Sequence, residues 1–128
     1  MTMRNLKITA AVLLSLGLSH NALAGGEEIY QSTCAHCHAQ GLAGAPKVGD
    51  KKVWGKLIKE GLVTISADAY PGIRAMPAQG GRPDLGVPDF VSAVVYMANQ
   101  SGANWSAPDE ATLKKINARI EKANKRKS

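Results

Sequence analysis

Three stretches of the chain repeat hydrophobic residues at helical spacing: one within 51–60, one within 88–102 and one after residue 108. Their members are Val53, Trp54, Leu57 and Ile58; Phe90, Val91, Val94, Val95 and Ala98; and Leu113, Ile116, Ile120 and Ala123. Shorter helices are predicted over 26–36 and 63–69. No stretch alternates with a period of two, so we expect an all-α domain.

Residues with special backbone preferences mark the ends of these helices. Asp50 suits the N-cap of the first striped helix, and Gly61 suits its end. Pro88 suits the first turn of the second helix, and Gly102 is expected to end it. The segment 70–87 contains three prolines and four glycines, which predicts a loop.

The first 24 residues have the layout of a cleavable secretory signal. Arg4 and Lys7 precede an apolar run at 8–18, and the small residues Ala22 and Ala24 suit positions −3 and −1 of a cleavage point. The run is shorter than the roughly 20 apolar residues that a membrane span needs. We therefore expect export to the periplasm and a mature chain that begins at Gly25, with an uncleaved anchor as the alternative.

Charge divides the mature chain into two parts. Residues 25–104 carry seven basic and seven acidic residues, whereas residues 105–128 carry seven basic and three acidic residues, a net charge of +4. This division predicts a compact domain over 25–104 and a basic amphipathic helical tail over 105–128. A domain of this size is near the limit at which a core alone gives enough stability, so a buried prosthetic group would help.

The segment Cys34-Ala35-His36-Cys37-His38 matches the C-x-x-C-H signature of covalent c-type haem attachment. Thiols three residues apart on a helical turn can form thioethers to the two vinyl groups on one edge of the porphyrin. The next residue, His38, then lies under the iron as its proximal ligand. The chain has two cysteines, so the sequence predicts one haem c.

Three other uses of the motif are less favoured. A dithiol redox site needs a βαβ pattern, which the sequence lacks. A local disulfide would close a loop too small to add much stability. Four zinc ligands within five residues cannot easily surround one tetrahedral ion, and there is no second ligand cluster. We interpret His36 as an exposed residue between the cysteines.

A second axial ligand must come from elsewhere in the chain. The mature sequence has two histidines, and His36 is too close to His38 to reach the other face of the ring. Its methionines are Met76, which precedes Pro77 in the long loop, and Met97, in the middle of a predicted helix. A loop can wrap onto the distal face, so we expect Met76 to bind iron and Met97 to lie in the core or on the helix surface.

These residues resemble the cytochrome c5 family, a bacterial branch of the class I c-type cytochromes. The resemblance covers about 26–99, and the stretches that carry it are 34–38, 41–50, Trp54, 75–77, 80–81 and 93–97. It implies the small class I fold, electron transfer between respiratory redox proteins and no enzymatic activity. Many relatives carry a second cysteine pair near the distal loop, which this chain lacks, and the tail after Gly102 is outside the familiar pattern.

The resemblance also implies three contacts. A backbone carbonyl near Pro46 is expected to bind the second ring nitrogen of His38, which would orient the imidazole. Trp54 is expected near the haem edge with its indole N–H free to meet a propionate; plain core packing is the alternative. Gly26 is expected to leave space for Tyr96 where the first and last helices of the domain cross.

The sequence therefore predicts a monomeric periplasmic carrier of one electron, with no membrane span and no nucleic-acid partner. The tail is expected to fold back on the domain, dock an acidic partner or lie on an anionic membrane surface, with a frayed, solvent-exposed terminus as the alternative. Two alternatives remain for the function. One is a haem subunit of a periplasmic dehydrogenase, and the other is a haem enzyme or sensor whose sixth ligand is labile.

Overall fold

The computed structural model describes residues 22–128. In chain order the elements are α1 (Ala22–Ile29), a π-helical segment (Tyr30–Cys34), α2 (Ala35–His38), a 3-10 turn (Leu42–Gly44), α3 (Lys51–Glu60), α4 (Leu62–Ala69), a second 3-10 turn (Ala78–Gly81), α5 (Val87–Asn99) and α6 (Glu110–Lys127). Within these residues the β pairing is limited to an isolated bridge between Ile73 and Met76. The all-α prediction is confirmed. The predicted signal sequence, 1–24, lies almost wholly outside the described residues and stays a prediction.

The first helix is longer than the predicted 26–36. It runs without a break from Ala22 to His38, and its middle turn is π-helical. In that turn the Ala35 N–H bonds to the carbonyl of Tyr30, five residues back. A π turn inserts one extra residue into a helix and shifts the register of the residues after it. The spacing of apolar residues carries no mark of this insertion, so the sequence predicted a shorter, regular helix.

α1 crosses α5 at a glycine. A Cβ on Gly26 would overlap the backbone carbonyl of Ser92 and would lie 3.4 Å from the Cβ of Tyr96, so the approach requires glycine. Beside the crossing, the rings of Tyr30 and Tyr96 have centroids 5.2 Å apart, and the Tyr96 hydroxyl donates to Glu27 at 3.3 Å. The expected crossing is present, although the nearest obstacle to a Cβ is the Ser92 carbonyl rather than Tyr96.

α3 has the predicted bounds because local chemistry fixes both of its ends. The Asp50 carboxylate accepts hydrogen bonds from the N–H groups of the second and third helical residues. Gly61 ends the helix with a φ of +91°, a conformation that favours glycine. α4 begins directly afterwards at Leu62, one residue before the predicted start.

α5 is the centre of the core. The predicted stripe is buried together with two further residues, and the buried set is Phe90, Val91, Ala93, Val94, Val95, Met97 and Ala98. Pro88 lies in the first turn, as predicted. The helix ends at Asn99, before the predicted stop, because the Ser101 N–H bonds to the Ala98 carbonyl and closes a turn. Gly102 then reverses the chain with a φ of +112°.

The C-terminal tail forms a helix that folds back on the domain. Asp109 caps α6 by accepting from the Thr112 N–H at 2.8 Å. Ile116 and Ile120, which belong to the predicted apolar seam, are buried, and α6 contacts α4. The seam is thereby covered by the domain itself.

Two polar contacts help to hold the tail. At the end of α5 the Asn99 side chain donates to the Trp105 carbonyl at 2.9 Å and accepts from the Trp105 N–H at 2.8 Å. In the middle of α6, Arg119 pairs with Asp68 of α4 at an N–O distance of 3.2 Å. Both charged side chains are about half exposed, so this pair contributes little stability. Burial of the seam therefore dominates the packing of α6.

Candidate cofactor site

A cavity of about 480 Å³ lies between the cysteine motif, the loop that follows α2, the loop that follows α4, and helices α3, α4 and α5. All six side chains singled out as site residues line it: Cys34, Cys37, His38, Pro46, Trp54 and Met76. The apolar part of the wall includes Leu57, Ile65, Phe90 and Val94. The volume falls in the range of about 300–1,000 Å³ that is typical of small-molecule and cofactor sites. The fold thus brings the predicted site residues to one cavity.

The cysteine motif reaches the cavity where the π-helical segment meets α2. Cys34 is buried, Cys37 is partly buried, and His36 between them is exposed, as predicted. Burial raises the pKa of the Cys34 thiol to about 11, because an apolar environment disfavours the thiolate. Reactive dithiols need a thiol whose pKa is lowered. The environment of Cys34 therefore does not suit a dithiol redox site.

The other rival uses of the motif also lack support in the described part of the chain. The thiols of Cys34 and Cys37 are free, not joined to each other. Among residues 22–128, no group of three or more His, Cys, Asp or Glu side chains is arranged to hold a metal ion directly. What remains is a pair of thiols and an imidazole on one wall of a cavity.

His38 is buried at the end of α2, and the loop after it holds its ring. Nδ1 lies 2.9 Å from the carbonyl oxygen of Pro46. A carbonyl only accepts, so Nδ1 carries the proton and Nε2 keeps its lone pair for a metal. The Val48 N–H also donates to the His38 carbonyl at 2.8 Å. The contact expected between Pro46 and His38 is present, and it sets the tautomer that iron ligation requires.

Met76 reaches the cavity from the long loop. The N–H groups of Met76 and Ile73 each donate to the carbonyl of the other, at 2.9 and 3.0 Å. Behind this turn, the Gln79 side chain donates to the Leu85 carbonyl and to the Tyr70 hydroxyl, at 3.1 and 3.2 Å. These bonds close the loop on itself, so its backbone conformation fixes where Met76 stands.

Met97 also lines the cavity. It is a core residue, one of the two positions expected for it, and it is 5% exposed. It comes after Phe90 and Val94 on one face of α5, at spacings of four and three residues. The sequence showed this spacing, but it did not show that the face meets a cavity rather than another helix. Two methionines therefore border the site, one from a helix and one from a loop.

Trp54 lines the cavity and carries an unpaired donor. It is 3% exposed, and its Nε1–H has no hydrogen-bond partner within residues 22–128. A buried donor left without a partner costs about 1–3 kcal/mol, so a bound group that supplies an acceptor would complete the site. A haem offers vinyl groups to the thiols, iron to imidazole and thioether, and carboxylates to the indole. The residues present therefore fit a covalently attached haem.

Comparison with known proteins identifies the family. Residues 21–97 match the family model described as cytochrome c oxidase, cbb3-type, subunit III. This chain belongs to the cytochrome c family. Cytochrome c-555 of Chlorobaculum thiosulfatiphilum is 42% identical over 82 residues, which are 61% of this chain and 95% of the relative. Cytochrome c5 of Azotobacter vinelandii is 33% identical over 75 residues, which are 57% of this chain and 90% of the relative.

A solved structure has the same fold. A chain from the crystal structure of an electron transfer complex of nitrite reductase with cytochrome c matches with a TM-score of 0.59 and 37% identity, over 61% of this cytochrome and 95% of that chain. The cytochrome therefore has the class I c-type fold, is similar to cytochrome c5 and binds haem c covalently. It is an electron carrier and not an enzyme.

The family match ends at residue 97, so α6 lies beyond it. Within residues 22–128 of the cytochrome, no helix is both long and apolar enough to cross a membrane.

Proposed function

We propose that this cytochrome is a periplasmic carrier that moves one electron at a time between redox proteins of a respiratory chain. Cys34 and Cys37 attach the haem as thioethers, and His38 and Met76 are the axial ligands of its iron. The observation that supports this proposal most is the convergence of these four side chains on one cavity. The haem supplies a reversible one-electron change at iron, and the protein sets its potential and its contacts.

Two neighbouring groups hold the haem and tune it. The Pro46 carbonyl accepts from Nδ1 of His38, which orients the imidazole and raises its basicity. The free indole N–H of Trp54 donates to a haem propionate. Imidazole with thioether ligation favours ferrous iron and gives a higher potential than two imidazoles would.

Attachment is tested by replacing both cysteines. The native haem should stay with the polypeptide on a denaturing gel and through acid-acetone extraction. Cys34→Ala with Cys37→Ala should lose the haem and leave little folded protein, because the core surrounds the cofactor. His36→Ala changes the exposed residue between them and should keep the haem. Stable folding of the haem-free double variant would contradict the proposal.

Met76 is proposed over Met97 because Met97 is built into the buried core face of α5, whereas Met76 is a partly buried loop residue beside Pro77. The ferric protein should show the weak red absorption band of methionine-ligated haem. Met76→Ala should abolish the band, lower the potential and let carbon monoxide reach the iron. Met97→Ala should keep the band. The reverse pattern would assign Met97 as the ligand.

The same spectra separate a carrier from other haem proteins. A ferrous native protein that does not bind carbon monoxide has both axial positions filled, as a carrier requires. Ready binding of carbon monoxide would favour a haem enzyme or sensor with a labile ligand. Cell fractionation should recover the haem protein from the periplasm with Gly25 as its first residue. Copurification with a dehydrogenase in fixed ratio would make it a subunit instead.

The outer face of α6 is proposed as the docking surface for an acidic redox partner. Its exposed cations lie away from the seam, and they are Lys114, Lys115, Lys122, Lys125 and Arg126. A helix that binds a membrane inserts its apolar face into lipid, but here Ile116 and Ile120 are already buried against the domain. The face left free is cationic, which favours an acidic protein over a bilayer.

Charge reversal tests this surface. Lys115→Glu with Lys122→Glu should slow electron transfer to the partner at low salt, and the difference should shrink at high salt because ions screen the attraction. The reduction potential should not change. Lys52→Glu with Lys59→Glu on α3 makes the same change in net charge elsewhere. Equal slowing by both pairs would refute a specific surface, and tight binding of the native protein to anionic vesicles would assign a membrane.

A further inference from the structure

A buried serine at the end of α5 joins the core to the loop after the cysteine motif. Ser101 is 1% exposed. Its Oγ lies 2.7 Å from the Met97 carbonyl and 2.9 Å from the backbone nitrogen of Gly49. A carbonyl accepts and an N–H donates, so the hydroxyl donates to Met97 and accepts from Gly49. Both bonds of Ser101 therefore have a fixed direction.

The loop needs this anchor because its other bonds are local. In the part of the chain that the structure describes, the remaining hydrogen bonds of residues 41–49 stay within 37–50. Two of them go to His38: the Val48 N–H bonds its carbonyl, and the Pro46 carbonyl accepts from its ring. Without the bond to Ser101, the loop would be held mainly by its bonds to His38, and His38 is the residue whose ring the loop orients.

We propose that Ser101 is a positioning residue for the haem iron, and this rests on the proposed ligation by His38. Ser101 fixes Gly49, and Gly49 fixes the loop that places the Pro46 carbonyl 2.9 Å from Nδ1 of His38. A firm Nδ1–H bond makes the imidazole a stronger donor and stabilises ferric iron. Removing the anchor weakens that bond, so the reduction potential rises.

The test compares two serines of α5 and its end in the holoprotein. Ser101→Ala removes the link to the loop. Ser92→Ala is the matched control, because the Ser92 hydroxyl bonds only to a carbonyl four residues back, that of Pro88, at 2.9 Å. We expect a higher potential and a shifted Nδ1–H proton resonance of His38 in Ser101→Ala, and neither change in Ser92→Ala. Ser101→Thr retains a hydroxyl and should return both readouts towards the native values.

Amide hydrogen exchange tests the bond between Gly49 and Ser101 in the native protein, so this test does not require a variant to fold. Gly49 is exposed, yet its amide should exchange more slowly than that of its neighbour Lys47. Ser101→Ala should speed the exchange of Gly49 roughly two- to tenfold, as expected for loss of one buried hydrogen bond.

Different results would refute the positioning role of Ser101 and the iron ligation by His38. If Ser101→Ala loses stability while its potential and the His38 resonance match the Ser92→Ala control, Ser101 is structural only and the positioning role is refuted. Fast exchange of Gly49 in the native protein also refutes it. If instead His38 is not an iron ligand, the native spectrum itself will lack histidine-methionine ligation.

Discussion

Replacing Ile116 by alanine tests whether α6 is part of the folded core. The Ile116 side chain is 0% exposed, and it lies in the seam between α6 and α4. α6 has 18 residues, and an isolated helix of that length is only marginally stable in water. Its stability must therefore come from packing, and Ile116 is the residue buried most completely there.

The size of the effect depends on the atoms that the substitution removes. Burial of an isoleucine side chain is worth about 1.5–3 kcal/mol, and the cavity left behind raises the cost of Ile→Ala to about 2–5 kcal/mol. The half-exposed ion pair of Arg119 with Asp68 contributes only about 0–1 kcal/mol. Ile116→Val, which removes one methyl group, should cost about 0.5–1.5 kcal/mol. Lys115→Ala on the exposed face should stay within about 0.5 kcal/mol of the native protein.

Urea unfolding of the holoprotein measures these values, monitored by far-UV circular dichroism and by haem absorbance. The midpoint should fall in the order Lys115→Ala, Ile116→Val, Ile116→Ala. The haem spectrum before unfolding should not change, because Ile116 does not line the cavity. An Ile116→Ala variant as stable as Lys115→Ala would refute the core role of α6. A fall in the helix signal before the haem signal would place α6 outside the cooperative unit.

Two further predictions concern the contact between α1 and α5 at Gly26 and the Asp109 cap of α6. Gly26→Ala should cost about 1–3 kcal/mol in urea unfolding, because its Cβ would overlap the Ser92 carbonyl and force two helices apart. Gly25→Ala is the control, since no atom lies within 4 Å of its Cβ position. Hydrogen bonds from Thr112 lower the pKa of the Asp109 carboxyl below its usual value of 3.8. A lowered folded pKa gives stability that is present above about pH 4 and lost as the pH falls through the folded value. The urea midpoint of the native protein should therefore fall further in acid than that of Asp109→Asn, which has no carboxylate to protonate at this cap.

The helices were predictable where local chemistry marks their ends. α3 has the bounds expected from Asp50 and Gly61, because a side-chain cap and a positive φ act within a few residues. The first helix was predicted too short and regular: its first turn falls in the segment assigned to the secretory signal, and its π turn leaves no mark in the spacing of residues. The end of α5 was placed at Gly102, whereas its last regular residue is Asn99, because the Ser101 N–H closes a turn on the Ala98 carbonyl and Gly102 then reverses the chain.

The cysteine motif of the site could be predicted from the sequence, whereas much of the surrounding cavity wall could not. Cys34, Cys37 and His38 line one cavity, and their spacing along a helical turn was enough to predict that they would meet. The second methionine at the cavity was not foreseen as a wall residue, since a stripe on α5 looks the same whether it faces a helix or a cofactor. In the same way, the seam on α6 was visible in the sequence, but its partner α4 was not. Periodicity shows which face is apolar, and only the tertiary structure shows what covers that face.

Docking of α6 on α4 changes what its charge can do. Residues 25–104 are formally neutral, and the net charge of +4 carried by residues 25–128 lies beyond them. On a flexible tail, these cations would attract an acidic partner without fixing its orientation. Held by Ile116 and Arg119 against α4, which forms one wall of the haem cavity, they give the molecule a fixed positive side. An approaching acidic surface is then oriented as well as attracted. Replacing both Ile116 and Ile120 by alanine removes the buried seam and should release α6 from α4. Transfer to that partner should then slow although every charge is retained, whereas attraction by net charge alone predicts an unchanged rate.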